Sequence, residues 1–436
     1  MSGSWEVPQD RDAVISIHPE LASLKRGPHV WHARAEEFDQ LVMASNCDLH
    51  DSICLPVRRP IAATLFGRGQ IENIRDSVVG QDAVVVFVDH PLSPVQQRNL
   101  EEAWDSKVVD RTGLILEIFA ARAQTKEGSL QVELASLNYQ ISRLVRSWTH
   151  LERQRGGFGF LGGPGERQIE LDRRQIRNRI LKLEKELSKV RRMRSTQRAG
   201  RKRKNIPTVA LVGYTNAGKS TLFNRLTGSD VYAASQLFAT LDPTLRKVEL
   251  ADGHSLMLSD TVGFVQELPH ELVDAFRATL EEVVEADLII HVRDAADSEV
   301  RQQGKVVDAT LREIGLEGDI MPPVIEVWNK TDLASQVKSR LTPEINGSRV
   351  ALSALTGAGV SELMAVLHDW LEAQMVETSL TLDAADGKGL AFCYEHGTVL
   401  GSSFPDDETV IVRLLLSASD LGRFEISNGI SRLKGG

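Results

Sequence analysis

Residues 213–221 read Gly213-Tyr214-Thr215-Asn216-Ala217-Gly218-Lys219-Ser220-Thr221, between a strand-like apolar run at 208–212 and a helix-like stretch. Glycines at both ends allow backbone amides to curl around phosphate oxygens. Lys219 can reach the terminal phosphates, and the Ser220 hydroxyl is placed to bind a magnesium ion. The following helix directs its positive end at the same anion. The spacing predicts a phosphate-binding loop whose residues all line the nucleotide, rather than an ordinary strand-to-helix turn.

Three short motifs follow in the order that a nucleotide switch requires, each after a strand-like run. Asp260-Thr261-Val262-Gly263 offers a carboxylate that can hold magnesium through water and a Gly263 amide that can meet a γ-phosphate. Asn329-Lys330-Thr331-Asp332 pairs an amide with a carboxylate, which matches the donor edge of guanine and not adenine. Ser353-Ala354 can donate backbone amides to the guanine carbonyl. Each motif alone is commonly an exposed turn, but their order predicts a GTP/GDP site.

A segment without helical periodicity, Phe238-Ala239-Thr240-Leu241-Asp242-Pro243-Thr244, lies between the phosphate loop and the second motif. We expect it to be mobile and to become ordered around magnesium and the γ-phosphate, with Phe238 beside the nucleotide. The predicted Mg²⁺ ligands are Ser220, Thr240 and Asp260. The predicted groups in phosphate chemistry are Lys219, Thr240 and Gly263.

Phe264 stands where many switch GTPases carry a glutamine that orients the attacking water. A phenylalanine cannot orient water. We therefore expect slow hydrolysis by the isolated protein and acceleration by a partner, which in other GTPases reaches about five orders of magnitude. The alternative is that the ring only packs against the domain, and the two roles are compatible.

The composition describes soluble globular material, with 436 residues that are 42% hydrophobic and 25% charged, enough for about three domains. Cys47, Cys54 and Cys393 have no CxxC pairing or nearby histidine cluster, which argues against a zinc site or a disulfide framework. Residues 1–12 lack a secretion-signal pattern, and the longest apolar run, 83–88, is strand-sized. We expect a cytoplasmic monomer without membrane insertion and with at most peripheral membrane association.

Positive charge is concentrated in residues 141–205, where 20 basic and 6 acidic residues give +14 against −9 for the whole chain. Such a block favours a polyanionic partner, although a solvated helical face has the same composition. Two heptad-like seams in this region predict antiparallel helices joined by a Gly-rich loop. The seams are Leu130, Leu134, Leu137, Ile141, Leu144, Trp148 and Leu151, and Ile169, Ile176, Ile180, Leu183, Leu187 and Val190.

The loop between the seams, residues 155–167, alternates glycines with apolar side chains. Bare backbone can approach another surface closely, arginines can meet phosphates, and phenylalanine rings can stack on exposed bases. A flexible linker would favour Ser and other polar residues instead, so insertion into RNA is the favoured interpretation. The predicted RNA contacts are Arg155, Gly157, Phe158, Phe160, Gly162, Gly163 and Arg167.

Alternation of strand and helix patterns predicts an α/β protein in four parts. These are an N-terminal α/β domain at 1–129, a helical hairpin at 130–200, a P-loop GTPase domain at 201–375 and a small C-terminal α+β domain at 376–436. In the last part we expect strands at 390–394 and 409–416.

Taken together, these residues resemble the HflX family of GTPases, within the Obg-HflX branch of translation-associated P-loop proteins. The most specific segments are 110–127 (DRTGLILEIFAARAQTKE), 155–174 (RGGFGFLGGPGERQIELDRR), 238–244 (FATLDPT) and 260–264 (DTVGF). The resemblance is looser in residues 1–75 and 376–436, and Leu355 stands where glutamine is common.

The resemblance implies a GTPase that binds the large ribosomal subunit and its rRNA, is stimulated by it, and separates stalled or idle ribosomes into subunits, especially under heat stress. It also implies that the hairpin loop reaches toward the peptidyl transferase centre. Some members of the family hydrolyse ATP and remodel RNA, but this sequence contains no second phosphate loop. The alternative from another class is a nucleotide-regulated RNA-remodelling or ribosome-assembly factor with little hydrolysis.

Overall fold

The computed structural model describes residues 13–22, 28–154, 164–203, 206–228, 238, 244–250, 254–266, 277–333, 349–417, 420–422 and 424 of the chain. These residues form an N-terminal α/β unit, a helical hairpin, a second α/β unit on a six-stranded sheet, and a small C-terminal α+β unit. The predicted fold class is confirmed. The predicted division points between the four parts remain predictions.

The N-terminal unit is a parallel sheet with helices on both faces. Its elements are β1 (Ala13–Leu21), α1 (Pro28–Ala44), β2 (Asp48–Val57), α2 (Arg68–Gly80), β3 (Val85–Val88), α3 (Pro94–Trp104), β4 (Lys107–Asp110) and α4 (Arg111–Arg122). The strands are ordered β2-β1-β3-β4. Successive residues of β1 enter opposite cores, Val14 with Phe38 of α1 and Ile15 with Trp104 of α3. All of β3 is buried, as expected for a parallel strand covered on both sides.

The two long helices α5 (Lys126–Gln154) and α6 (Pro164–Arg203) form the predicted antiparallel hairpin. Leu130, near the start of α5, packs in one cluster with Leu183 and Leu187 in the middle of α6. At 1.5 Å per residue the helices are roughly 40 and 60 Å long, longer than the seams because both continue beyond them. Within the described residues no helix, these two included, is long and apolar enough to cross a membrane.

The second α/β unit places the carboxyl ends of its central strands at one edge of the sheet. Its elements are β5 (Thr208–Gly213), α7 (Lys219–Thr227), β6 (Thr244–Glu249), β7 (Ser255–Asp260), α8 (Arg277–Val284), β8 (Leu288–Asp294), α9 (Val300–Glu313), β9 (Val324–Asn329), β10 (Arg349–Ala351) and α10 (Val360–Glu372). The strand order is β10-β9-β8-β5-β7-β6, with only β6 antiparallel to its neighbour. The motifs that follow β5, β7, β9 and β10 therefore meet at the same edge, where open α/β sheets bind ligands.

The C-terminal unit is a three-stranded antiparallel sheet with one helix. Its elements are β11 (Met375–Asp383), α11 (Gly387–His396), β12 (Thr398–Ser403) and β13 (Thr409–Ser417), in the order β11-β13-β12. The strand predicted at 409–416 is present, but the strand predicted at 390–394 is wrong, because those residues lie in α11. The Asp386 carboxylate caps that helix by accepting from the Gly389 amide at 2.9 Å, and such a cap favours a helix start over an extended chain.

The N-terminal unit and the second α/β unit share one hydrophobic core. Phe119 of α4 meets Phe238 edge to face, with ring centroids 4.7 Å apart. Val262 and Phe264, in and after the Asp260–Gly263 motif, are buried in the same cluster as Leu114 of α4. Because a shared core resists relative motion of its two sides, the segment after β7 is held by both units.

Arg111 is a buried charge at this interface. Its guanidinium donates to Asp89 Oδ1 at 2.9 Å, to Glu37 Oε1 at 2.5 Å and to the main-chain oxygen of Gln266 at 3.1 Å. Burial alone would lower the pKa of Arg111, but the carboxylates of Asp89 and Glu37 outweigh it and raise the pKa. Asp89 also accepts from Arg34 Nε at 2.7 Å. The charge network thus joins the N-terminal unit to the chain two residues after Phe264.

Replacing Arg111 with Gln should destabilise the protein strongly, because it leaves the buried Asp89 carboxylate and the partly buried Glu37 carboxylate without their shared cation. We expect Arg111→Gln to lower the free energy of unfolding by roughly 3 kcal/mol or more, measured by urea denaturation. The control is Arg179→Gln, which removes a surface pair with Glu133 and should change stability little. Equal urea midpoints for the two variants would contradict the role given to Arg111.

Candidate nucleotide-binding site

The phosphate loop joins β5 to α7 and requires glycine at both ends. Gly213 has φ +156°, and a β-carbon added there would lie 2.2 Å from the Val292 carbonyl oxygen. Gly218 has φ +91°, and its added β-carbon would lie 2.2 Å from Nδ2 of Asn329. No side chain fits at these separations, so the loop can pass between β8 and the Asn329 side chain only with bare backbone at these two positions.

Lys219 is buried beneath the loop. Its Nζ donates to the carbonyl oxygens of Gly213 at 3.0 Å and Tyr214 at 2.8 Å. Burial lowers the pKa of Lys219 to about 8, and the nearby Asp260 carboxylate offsets only part of that effect. A bound phosphate would place a compensating negative charge beside the buried ammonium group.

Ser220 and Asp260 form the oxygen pair predicted to hold Mg²⁺. The Ser220 hydroxyl donates to Asp260 Oδ2 at 2.7 Å, and Asp260 is fully buried at the end of β7. Hydroxyl and carboxylate oxygens are the ligands that Mg²⁺ prefers, so the donor set fits the ion. Thr240, the third predicted ligand, lies outside the described residues.

The chain after Asp260 pairs with the phosphate loop through main-chain hydrogen bonds. Phe264 N–H donates to the Gly213 oxygen at 3.1 Å, and Thr215 N–H donates to the Phe264 oxygen at 2.8 Å, which pairs Phe264 with Tyr214 as in a parallel sheet. A β-carbon added at Gly263 would lie 2.7 Å from Cγ2 of Thr215. Glycine at position 263 therefore allows the two segments to touch. Lys219 Nζ is also close, 3.1 Å from the position of that added β-carbon.

Phe264 is only 1% exposed and faces the shared core, not the nucleotide edge. The packing role weighed from the sequence is thus present. A buried hydrocarbon ring offers no hydrogen bond to an attacking water, so the side chain after Gly263 leaves that task to another group.

Tyr214 links the phosphate loop to the N-terminal unit, a contact that the motif pattern does not reveal. Its hydroxyl donates to Glu37 Oε2 and accepts from Gln266 N–H at 3.1 Å. Burial and the Glu37 carboxylate raise the pKa of Tyr214, so the phenol stays protonated. Glu37 and Arg111 thereby become part of the site's surroundings, although they lie far from it in sequence and carry no spacing signal.

Asn329 holds the phosphate loop and the predicted base loop together. Its Nδ2 donates to the Ala217 oxygen at 2.8 Å, and its Oδ1 accepts from Ala354 N–H at 2.8 Å. Lys330 Nζ pairs with Asp294 Oδ2 at 2.6 Å, while Asp332 is exposed. The phosphate loop, the Asn329–Asp332 motif and the Ser353–Ala354 loop thus meet around one buried amide.

The remaining residues predicted to contact nucleotide or RNA are not among the site contacts described above. Phe238 is buried against Phe119. The predicted RNA contacts between residues 155 and 163 lie outside the described residues, as does Thr240. Arg167 lies in α6, but its side chain is outside the described part of the chain.

Two relatives match nearly the whole chain. GTPase HflX of Magnetococcus marinus is 48% identical over 393 residues, which cover 89% of each chain. GTPase HflX of Escherichia coli is 44% identical over 390 residues, 89% of this chain and 91% of its own. The chain belongs to the HflX family of GTPases. It binds GTP and GDP and hydrolyses GTP, as the motifs predict.

Four family profiles cover the HflX chain in succession. They describe a GTP-binding GTPase N-terminal region (residues 32–120), a GTP-binding GTPase middle region (122–201), a 50S ribosome-binding GTPase (208–330) and an HflX C-terminal domain (340–431). A GTP-binding protein of the archaeon Sulfolobus solfataricus, solved with GDP, is 25% identical, with a TM-score of 0.42 over 82% of this chain and 98% of its own.

Nucleotide binding should take up a proton at alkaline pH. At about pH 9, above its pKa of about 8, Lys219 is mostly neutral in the free protein, and GDP phosphates should restore its charge. At about pH 6.5 the lysine is already charged and uptake should vanish. His291, whose pKa burial lowers to about 3, stays neutral throughout.

The measurement is calorimetric titration with GDP in two buffers of different ionisation enthalpy. In Lys219→Arg, whose cation does not titrate in this range, any remaining binding should show no uptake. Identical binding enthalpies in both buffers at about pH 9 would rule out a neutral Lys219.

Base selectivity should depend on Asp332. In Asp332→Asn the exchanged amide mates with a carbonyl instead of an amine, so preference should move from guanosine to xanthosine diphosphate by about tenfold or more. Equilibrium binding of both diphosphates measures the shift. Glu313→Gln removes an exposed carboxylate at the end of α9 and is the matched control. Unchanged selectivity in Asp332→Asn would remove Asp332 from the base pocket.

Proposed function

We propose that this GTPase binds the large ribosomal subunit and separates stalled or idle ribosomes into subunits, notably under heat stress, with GTP hydrolysis stimulated by the ribosome. The burial of Phe264 is the observation that carries the proposal. An HflX GTPase without a water-orienting side chain at that position needs a partner to speed hydrolysis. The match of residues 208–330 to a profile described as 50S ribosome-binding GTPase supports the ribosome as that partner.

The basic hairpin is the proposed contact with ribosomal RNA. The helices α5 and α6 extend about 40 and 60 Å, and residues 155–167, which include the first turn of α6, combine Arg155 and Arg167 with Phe158 and Phe160. Arginines bind phosphates and phenylalanines stack on unpaired bases. We infer that the loop enters the large subunit. There a hairpin of this length would compete with the contacts that hold the two subunits together.

In the proposed nucleotide site, Lys219 and the amides of the phosphate loop bind the phosphates, and Gly263 N–H meets the γ-phosphate. Ser220, Thr240 and Asp260 hold Mg²⁺, which when bound neutralises charge on the β- and γ-phosphates. Asn329 and Asp332 select guanine, with amides from the Ser353–Ala354 loop. The proposed setting is the cytoplasm, with the protein acting as a monomer.

The main experiment mixes the protein with intact ribosomes and a non-hydrolysable GTP analogue and follows subunits by sedimentation. We expect separated subunits with the GTP analogue and few with GDP. In parallel, phosphate release from GTP should rise by at least tenfold when purified large subunits are added. Stimulation by RNA without subunit separation would favour the remodelling or assembly alternative. No stimulation by large subunits would overturn the proposal.

The hairpin loop is tested in the same assay. Deleting residues 157–163 should spare GDP binding, because the phosphate loop is elsewhere, and should weaken subunit separation. Phe158→Ala combined with Phe160→Ala keeps the loop length and is the finer variant. Full subunit separation by the deletion variant would show that the loop is not needed to separate the subunits.

A further inference from the structure

Arg225 reaches from the helix of the phosphate loop to the predicted base loop. It lies in the last turn of α7, the helix that begins with Lys219. Its Nε donates to the Ala354 carbonyl oxygen at 3.1 Å, and its Nη2 donates to the Leu355 carbonyl oxygen. One planar guanidinium thus grips two successive carbonyls, and hydrogen bonds from a charged donor are among the stronger ones in proteins.

The grip of Arg225 complements that of Asn329. Asn329 Oδ1 accepts from Ala354 N–H at 2.8 Å, which fixes the peptide group before Ala354. Arg225 fixes the peptide groups after Ala354 and after Leu355. Because the C=O and N–H of a trans peptide point in opposite directions, holding the Ala354 oxygen on Arg225 also sets the direction of the Leu355 N–H.

Packing holds Ala354, which is buried in one hydrophobic cluster with Ala217 and Leu222, but it does not hold the residue that follows. The Leu355 side chain is 70% exposed, so it anchors nothing. Gly357 has φ +90° and lies beside the guanidinium, where an added β-carbon would be 3.6 Å from Arg225 Nη1. Ser353 Oγ accepts from Thr356 N–H at 3.1 Å, a bond local to the turn. Within the described residues, Arg225 and Asn329 are therefore the polar side chains that tie the loop to the phosphate-binding half of the site.

We propose that Arg225 is a specificity-determining positioning residue for guanine. It holds the loop so that the Leu355 N–H faces the C6 carbonyl of the base, while Asn329 holds the Ala354 N–H. This inference rests on the proposed guanine pocket. It adds that a side chain of α7 holds the base loop in place. The first turn of this helix would bind phosphate, and its last turn would support base recognition.

The test compares GDP with the diphosphate of 2-aminopurine riboside, which lacks the C6 carbonyl and the N1–H that accompanies it. The loss of N1–H affects the native protein and every Arg225 variant alike, so a change in the affinity ratio on substitution reports the carbonyl. In Arg225→Gln the affinity for GDP should fall about tenfold, while the affinity for the 2-aminopurine compound changes less than about twofold. Arg225→Lys keeps the charge but cannot donate to two carbonyls from one planar group, and should lie between. The matched control is Arg312→Gln, an exposed arginine in the last turn of α9, which should bind both compounds as the native protein does.

The ratio of the two affinities separates the outcomes, because it does not depend on the fraction of protein that is folded. A parallel loss for both diphosphates in Arg225→Gln would mean that Arg225 only supports α7, and would overturn the inference. Unchanged affinities would overturn it as well. If the native protein itself bound both diphosphates equally, the guanine pocket would fall and the role of Arg225 with it, whereas a native preference that survives Arg225→Gln would sink the Arg225 inference alone.

Discussion

Main-chain pairing between the phosphate loop and Phe264 is the constraint from which most of this molecule's organisation follows. The pairing brings Gly263 so close to Thr215 that a β-carbon has no room. It also turns the Phe264 side chain away from the nucleotide edge and into the core shared with the N-terminal unit. The segment that responds to the γ-phosphate in a nucleotide switch is therefore also part of the hydrophobic core between the two units.

This arrangement makes movement of the Phe264 segment costly unless the two units move with it. Removing a buried phenylalanine from its core costs about 3–5 kcal/mol, and the Arg111 bond to the Gln266 oxygen ties the next turn of chain to the same interface. The Tyr214 bond to Glu37 adds a direct connection from the phosphate loop. Movement of this segment would thus disturb main-chain, buried-charge and apolar contacts with the N-terminal unit.

At the opposite end of the site, one amide and one guanidinium organise the predicted base loop. Asn329 joins Ala217 of the phosphate loop to Ala354, and Arg225 joins α7 to Ala354 and Leu355. Each of these side chains makes contacts across more than a hundred residues of sequence. The predicted base loop is consequently held to the phosphate-binding half by these polar contacts and by the buried Ala354 side chain.

Sequence alone was sufficient for the phosphate loop, the order of the nucleotide motifs, the heptad seams of the hairpin and the strands that precede the nucleotide motifs. Those features are encoded locally: glycines at positions with positive φ, short runs of buried apolar residues, and leucines at helical spacing. Residues 390–394 were misread because five apolar or small residues suit a strand and a helix equally, and the Asp386 cap decided for the helix.

The tertiary structure decided the rest: the partners of Arg111, Tyr214 and Arg225, the burial of Phe264, and the continuity of the core between two sheets. Each of these depends on which surfaces are brought together after the local elements have formed. A residue pattern records the period of an element, but the identity of the neighbour across an interface is set by chain topology and packing, and it leaves no periodic trace.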